Sequence, residues 1–120
     1  RAKAPMLSLG EVSLVDGVPA AYRALVTETL VAELAALGEK TSKEPFVIHA
    51  RLANLRTEGN RPARSQCLVS LLVARQSGAI YATTQGKVTV EEGAPERAEM
   101  AAIKTAVKSA FARASAALAK

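Results

Sequence analysis

The spacing of apolar residues near the end of the chain constrains its fold more than any other feature. These residues follow one another at intervals of three or four: Met100, Ile103, Val107, Phe111, Ala114 and Leu118. Residues at such intervals share one side of an α-helix, so the pattern predicts a long amphipathic helix. Pro95 and Glu96 suit its first turn. The rest of the chain must supply the surface that covers this stripe.

A second helix is predicted between Pro19, which suits a first helical turn, and Gly38, which suits a left-handed C-terminal cap. Its apolar residues follow spacings of four and three: Tyr22, Val26, Leu30, Leu34 and Leu37. We expect this broad face to cover part of a sheet.

Four segments have the composition of β-strands. Residues 6–15 form the first, in which Gly10 indicates a bulge or a change of face. Residues 46–56, 65–75 and 79–91 are separated by the turn sequences Glu58-Gly59-Asn60 and Ser77-Gly78. Short turns of this kind predict an antiparallel meander.

Alternation within these strands predicts two faces. The face that we expect to meet the helices comprises Ile48, Ala50, Leu52, Cys67, Val69, Leu71, Val73, Ile80, Ala82, Val88 and Val90. The opposite face comprises His49, Arg51, Gln66, Ser70, Tyr81, Thr83, Gln85, Lys87 and Thr89, interleaved with Leu68 and Leu72. Two interpretations of this mixed outer face stay open: scattered surface leucines, or the docking site of a partner.

Together these elements predict an α+β domain of order βαβββα, with a four-stranded mixed or antiparallel sheet and two helices packed on one face. The first strand could lie beside the second or beside the fourth. Residues 1–5 are interpreted as a linker or truncated end, and residues 6–120 as a single domain, for which 49% apolar residues suffice. No stretch is long and apolar enough for a predicted transmembrane segment.

The sequence contains no motif with a catalytic spacing, such as a phosphate-binding loop or a paired-cysteine metal site. Cys67 is the only cysteine and His49 the only histidine. Both fall in predicted strands, and a structural cysteine and a surface histidine are favoured over a catalytic pair. We therefore expect no enzyme activity, no cofactor and no metal.

The net charge of +5 is concentrated in residues 41–91, which carry seven basic and three acidic groups. The arginines are Arg51, Arg56, Arg61, Arg64 and Arg75. They make nucleic-acid binding through a basic hairpin loop the alternative function, and the strand order echoes the double-stranded-RNA-binding domain. That family has lysines at the start of its last helix, whereas this chain has Glu96 and Glu99 there, which disfavours phosphate.

Several sequence patterns resemble known bacterial domains. The helix at residues 25–37, the run at residues 67–73 followed by Ser77-Gly78-Ala79, and the alanine-rich last helix are similar to a C-terminal domain that follows HEAT-repeat arrays in some bacterial proteins. The βαβββα order also resembles small domains of bacterial envelope assembly lipoproteins. Either resemblance implies a non-catalytic interaction module within a longer protein, with the cell envelope favoured as its location. The start at Arg1 rather than Met agrees with a removed leader or upstream domain.

We therefore predict a protein-interaction or assembly module whose partner is another protein or a second copy of itself. An outer sheet face, an exposed strand edge or the arginine loop could make the contact. The candidate partner-binding residues are Arg56, Arg61, Arg64, Leu68, Leu72 and Tyr81.

Overall fold

The computed structural model describes residues 7–37 and 45–118. The elements are β1 (Leu7–Leu14), α1 (Ala21–Leu37), β2 (Phe46–Glu58), β3 (Ala63–Arg75), β4 (Ile80–Glu92) and α2 (Pro95–Leu118). The predicted α+β class and βαβββα order are confirmed. The linker predicted at residues 1–5 and the helix cap predicted at Gly38 lie outside the described residues.

The four strands form one sheet in the order β1-β2-β3-β4. β2, β3 and β4 are successive antiparallel neighbours, as the short turns predicted. β1 lies beside β2 and parallel to it, which resolves the position of the first strand and makes the sheet mixed. Because a parallel neighbour requires a crossover connection, α1 occupies the chain between β1 and β2. β1 and β4 are consequently the two edge strands.

Both helices pack on one face of the sheet, here called the inner face. The core lies between the helices and this face. Ile48, Leu52, Val69 and Leu71 are fully buried on the strands. The matching helix residues with no exposed surface are Val26 and Leu30 on α1 and Ile103, Val107 and the alanines 102, 106, 110 and 114 on α2. The predicted stripe of α2 is therefore confirmed.

Gly86 of β4 is the point where α2 comes closest to the sheet. A Cβ atom at this position would collide with the Ala106 carbonyl oxygen and would lie 2.7 Å from the Ala110 amide nitrogen. The Thr84 hydroxyl also donates to the Ala110 carbonyl at 2.9 Å. The absence of a side chain at Gly86 and the small alanine side chains of α2 thus allow helix and strand backbones to meet.

Irregular pairing at the start of β4 changes the predicted faces. Val73 pairs with Ala82 while Ala74 pairs with Ile80, so one residue is inserted in β4. Residues 82–90 alternate as predicted, whereas residues 80 and 81, at and before the inserted residue, are displaced by one position. Ile80 was predicted on the inner face, and this is wrong, because its side chain is 64% exposed.

Candidate protein-interaction surface

The outer face of the sheet, opposite the helices, carries most of the predicted partner-binding residues. Leu68 pairs with Asn54 and Lys87 on the neighbouring strands, and Leu72 pairs with His49 and Thr83. Both leucines are half-buried. Their surroundings are mainly polar, so the outer face offers two apolar positions set among hydrogen-bonding groups and not a continuous apolar patch.

A shallow groove of about 360 Å³ crosses the outer face between β1 and β3. Its lining includes Glu11, Ser13, His49, Arg51 and Leu72. The Glu11 backbone N–H donates to His49 Nδ1 at 3.0 Å, which leaves Nε2 of a neutral imidazole as the protonated nitrogen. A groove with acidic, basic and apolar groups suits a peptide surface better than a single small ligand.

The bulge predicted at Gly10 is confirmed and explains the position of His49. The pairing of β1 with β2 shifts between Leu9 and Val12. A Cβ atom on Gly10 would collide with the His49 ring and would lie 2.8 Å from a methyl group of Val47. Glycine therefore provides the space in which the imidazole lies against the edge strand and accepts its hydrogen bond.

The turn between β2 and β3 lies at one end of the sheet. With its flanking residues, 56–64, it is here called the arginine hairpin. Arg56 forms an ion pair with Glu58 at 3.2 Å, and Arg64 forms one with Glu91 at 3.2 Å. Arg61 lies exposed at the tip. Since two of the three arginines have carboxylate neighbours, the positive field here is weaker than the sequence indicates. Such exposed pairs contribute only about 0–1 kcal/mol to stability.

Tyr81 was predicted on the outer face, and this placement is wrong. Because it is the inserted residue of the β4 bulge, its ring lies on the inner side, with its centroid 4.8 Å from that of Phe46. The guanidinium of Arg75 is 5.6 Å from the Tyr81 ring centroid. The hydroxyl donates to the Ala117 carbonyl of α2 at 3.5 Å. Tyr81 is thus separated from Leu68 and Leu72, while its role in partner binding stays a prediction.

A polar cluster inside the fold was missed by the sequence analysis. Tyr22 of α1 donates to Glu99 Oε1 at 2.6 Å, and Thr57 of β2 donates to Glu99 Oε2 at 2.8 Å. The hydroxyls of Thr57 and Ser65 are 2.7 Å apart. Since the Thr57 proton goes to Glu99, Ser65 is the donor to Thr57. One carboxylate therefore links α1, α2, β2 and β3.

This cluster could have been found in part from the strand alternation. Ser65 continues the inward positions of β3, where apolar residues are normal, so a polar residue there indicates a buried hydrogen-bond partner. Thr57 could not be found in this way, because the register shift between Leu52 and Asn54 turns it inward against the alternation of β2. Ser65 is fully buried. Burial, reinforced by the neighbouring Glu99, raises the pKa of Tyr22 to about 12. The cluster binds the fold together internally and does not face a ligand groove.

Cys67 and His49 lie on opposite faces of the sheet. Cys67 is 1% exposed in the core, and burial raises the pKa of its thiol to about 12. His49 lines the outer groove. A thiol with so high a pKa is a poor nucleophile, and the sheet separates it from the imidazole. Within residues 7–37 and 45–118 the side chains form no group of three or more histidines, cysteines or carboxylates that could hold a metal ion.

Neither described helix combines the length and the apolar character that a membrane-spanning segment needs.

Comparisons with known proteins identify the fold. No family model matches the chain, and no curated protein matches its sequence. A PelC variant from Paraburkholderia phytofirmans, solved as a dodecamer, has a TM-score of 0.61 and 13% identity, and the alignment covers 95% of this chain and 86% of that one. A Xanthomonas campestris protein of the DUF330 family has a TM-score of 0.60 at 10% identity, covering 95% and 86%.

A third solved structure, the minor lipoprotein of Acinetobacter baumannii, has a TM-score of 0.52 at 8% identity, covering 97% of this chain and 92% of its own. Similarity at these identities establishes a shared fold. The predicted resemblance to small bacterial envelope lipoproteins is therefore confirmed at the level of the fold.

Proposed function

We propose that this chain is a non-catalytic assembly domain of the bacterial cell envelope, which acts by associating with protein chains, including further copies of itself. The observation that carries the proposal is the shared fold, which spans 86% of a PelC chain that forms a dodecamer and 92% of a lipoprotein chain. The chain is thus similar over nearly its whole length to proteins of this kind. Because a shared fold does not by itself imply a shared function, the surface of this chain must support the proposal independently.

The described surface supports a contact with protein. Leu68 and Leu72 stand half-buried among hydrogen-bonding groups on the outer face, a mixture that is common at protein interfaces. β1 and β4 are sheet edges whose outward backbone groups have no partner strand among the described residues. The leucines and the edges could each contact a second chain, whereas the buried Cys67 offers no accessible nucleophile.

The arginine hairpin gives the nucleic-acid alternative little support. The carboxylates of Glu58 and Glu91 lie against Arg56 and Arg64, and Glu96 stands in the first turn of α2. A phosphate backbone would meet these negative charges together with the arginines. The association with HEAT-repeat arrays and the place within a longer protein stay predictions.

Light scattering on the purified chain tests the proposal, with and without a mixed-sequence nucleic acid and at about 50 and 200 mM salt. We expect a mass above the 12.5 kDa of a single chain, unchanged by nucleic acid. We also expect little change with salt, because backbone pairing and apolar contacts depend weakly on ionic strength. A complex with nucleic acid that weakens steeply at the higher salt would contradict the proposal.

A further inference from the structure

The edge of β4 is the most regular unpaired strand edge in the described part of the chain. Between residues 82 and 90 its pairing with β3 contains no shift of register. This segment, Ala-Thr-Thr-Gln-Gly-Lys-Val-Thr-Val, has no proline and a single charge, Lys87. Natural edge strands are normally protected by bulges, prolines or several charges. Of these protective features, the middle of β4 has only the single charge of Lys87.

The opposite edge is protected in the usual way. β1 has only 8 residues, against 13 in β4, and its pairing shifts at the Gly10 bulge. His49 also accepts the Glu11 N–H, which fixes the irregular backbone. A bulged and short strand is a poor template for a further strand. The two edges therefore differ in their capacity to extend the sheet.

We propose that β4 pairs antiparallel with β4 of a second copy, in a symmetric register centred on Gly86, and so joins two sheets into one of eight strands. This inference rests on the proposed function, since it names the surface by which copies associate. An isologous contact of this kind closes at two chains, and larger assemblies would be built from such pairs through other surfaces.

The charges along β4 select the register. Facing residues of a symmetric pair lie on the same face, so the sum of their numbers is even. For residues 82–90 the register centred on residue 86 has the greatest overlap, followed equally by those centred on residues 85 and 87. Centring on residue 87 would place two lysines directly opposite each other, which is destabilising. Centring on Gly86 places Lys87 opposite Gln85 and Thr83 opposite Thr89, and both are favourable cross-strand pairs.

The position of α2 is compatible with this pairing. α2 packs over both β4 and β3, and its backbone lies against Gly86 of β4. With strands about 4.8 Å apart, the two α2 helices of the joined sheets would lie no more than roughly 10 Å from each other and would therefore pack together. That separation is normal for packed helices.

Two substitutions at Gln85 test the register in opposite directions. Gln85 is exposed on the outer face of β4, so neither change disturbs the core. Gln85→Lys places two lysines opposite each other at two symmetric positions, and Gln85→Glu places a carboxylate opposite Lys87 of the second copy. We expect the dimer Kd to rise by between about 2-fold and 30-fold with Gln85→Lys and to fall with Gln85→Glu.

Gln66→Lys is the matched control, because Gln66 is exposed on the same face but on the interior strand β3. We expect it to leave the Kd unchanged in sedimentation equilibrium. Amide hydrogen exchange adds a readout that needs no variant: amides within residues 82–90 should gain protection as the protein concentration rises. Thermal unfolding checks that each variant is folded.

If the wild-type chain associates while Gln66→Lys weakens association and both Gln85 variants leave it unchanged, the β4 pairing is overturned and the proposed function stands. If residues 82–90 gain no protection at concentrations where the mass doubles, the pairing is overturned as well. If the wild-type chain stays at the mass of one chain, both proposals fail together.

Discussion

At the scale of single residues, Glu99 is the side chain with the most connections between elements. Its two oxygens accept hydrogen bonds from Tyr22 and Thr57, and Thr57 in turn accepts one from the buried Ser65. Hydrogen bonds to a charged acceptor contribute about 1.5–3 kcal/mol when they are shielded from water. Glu99 is half-buried, so we place its contribution near the lower end of this range.

Replacing Glu99 with alanine should lower the free energy of unfolding by about 2 kcal/mol, because Tyr22 and Thr57 lose their common acceptor. Urea unfolding followed by circular dichroism measures the difference. Glu96→Ala is the matched control: it removes a carboxylate from the exposed first turn of the same helix and should cost less than about 1 kcal/mol. Equal losses in the two variants would show that the cluster has no special role.

The raised pKa of Tyr22 predicts a pH effect on stability. The folded state favours the neutral phenol, since its pKa is about 12 against the ordinary 10.0. This contribution is fully present below pH 10 and is lost between pH 10 and pH 12, as the phenol ionises in the unfolded state first. The wild type should therefore lose stability more steeply than Tyr22→Phe over that range.

Urea titrations of both proteins at pH 8, 10 and 11 provide the measurement. Tyr81 and Cys67 are present in both, so their ionisation cancels in the comparison. Parallel pH profiles for the wild type and Tyr22→Phe would contradict the assignment of the effect to Tyr22.

The residue scale is also where sequence reasoning was weakest. A glutamate beside the apolar stripe of a helix is normally solvated, and its spacing does not reveal that Glu99 contacts Thr57 from a strand 42 residues away. Likewise, alternation assigned Tyr81 to the wrong face because a single inserted residue at the start of β4 reverses the pattern.

At the scale of elements, the contact between α2 and β4 depends on small residues from both. Gly86 on the strand faces the alanines at positions 106 and 110 of the helix, and these alanines are fully buried. The small side chains of these alanines thus allow the backbone of α2 to approach β4 closely. Phe111 and Ile103 belong to the same buried core as Val26 and Leu30 of α1.

Gly86→Ala should destabilise the fold by about 1–3 kcal/mol, because the added methyl group collides with the Ala106 carbonyl and α2 must shift. Gly93→Ala is the matched control, since a Cβ atom there meets nothing within 4 Å. We expect the control to change the unfolding free energy by less than about 0.5 kcal/mol. A neutral Gly86→Ala would mean that helix and strand are farther apart than the structure shows.

Most element boundaries were predictable within two residues, because hydrophobic periodicity and turn glycines both marked them. β2 and β3 each extend two residues farther towards their hairpin than predicted, to Glu58 and from Ala63. The extension of β2 contains Thr57, whose inward orientation follows from the register shift between Leu52 and Asn54. The parallel position of β1 could not be predicted, since its apolar pattern would suit either edge of the sheet.

At the scale of the whole molecule, the chain is elongated, with dimensions of 52 × 25 × 24 Å. The helices cover one face of the sheet and leave the other face uncovered. The long dimension follows from strands of 13 residues. Such a shape exposes a large sheet face and one long edge, that of β4, relative to its volume. Association through these surfaces would bury backbone and side-chain groups that a single copy leaves in water.

The net charge of +5 is a property of the whole molecule. The ion pairs of Arg56 with Glu58 and of Arg64 with Glu91 reduce the positive charge at the hairpin. We therefore expect the arginines of the hairpin not to form a phosphate-binding site.

The measurement that tests the assembly proposal most directly is the mass of the wild-type chain by sedimentation equilibrium, from micromolar to near-millimolar concentration. The account predicts a mass that rises with concentration from 12.5 kDa towards multiples of that value. A mass that stays at 12.5 kDa over the whole range would contradict it.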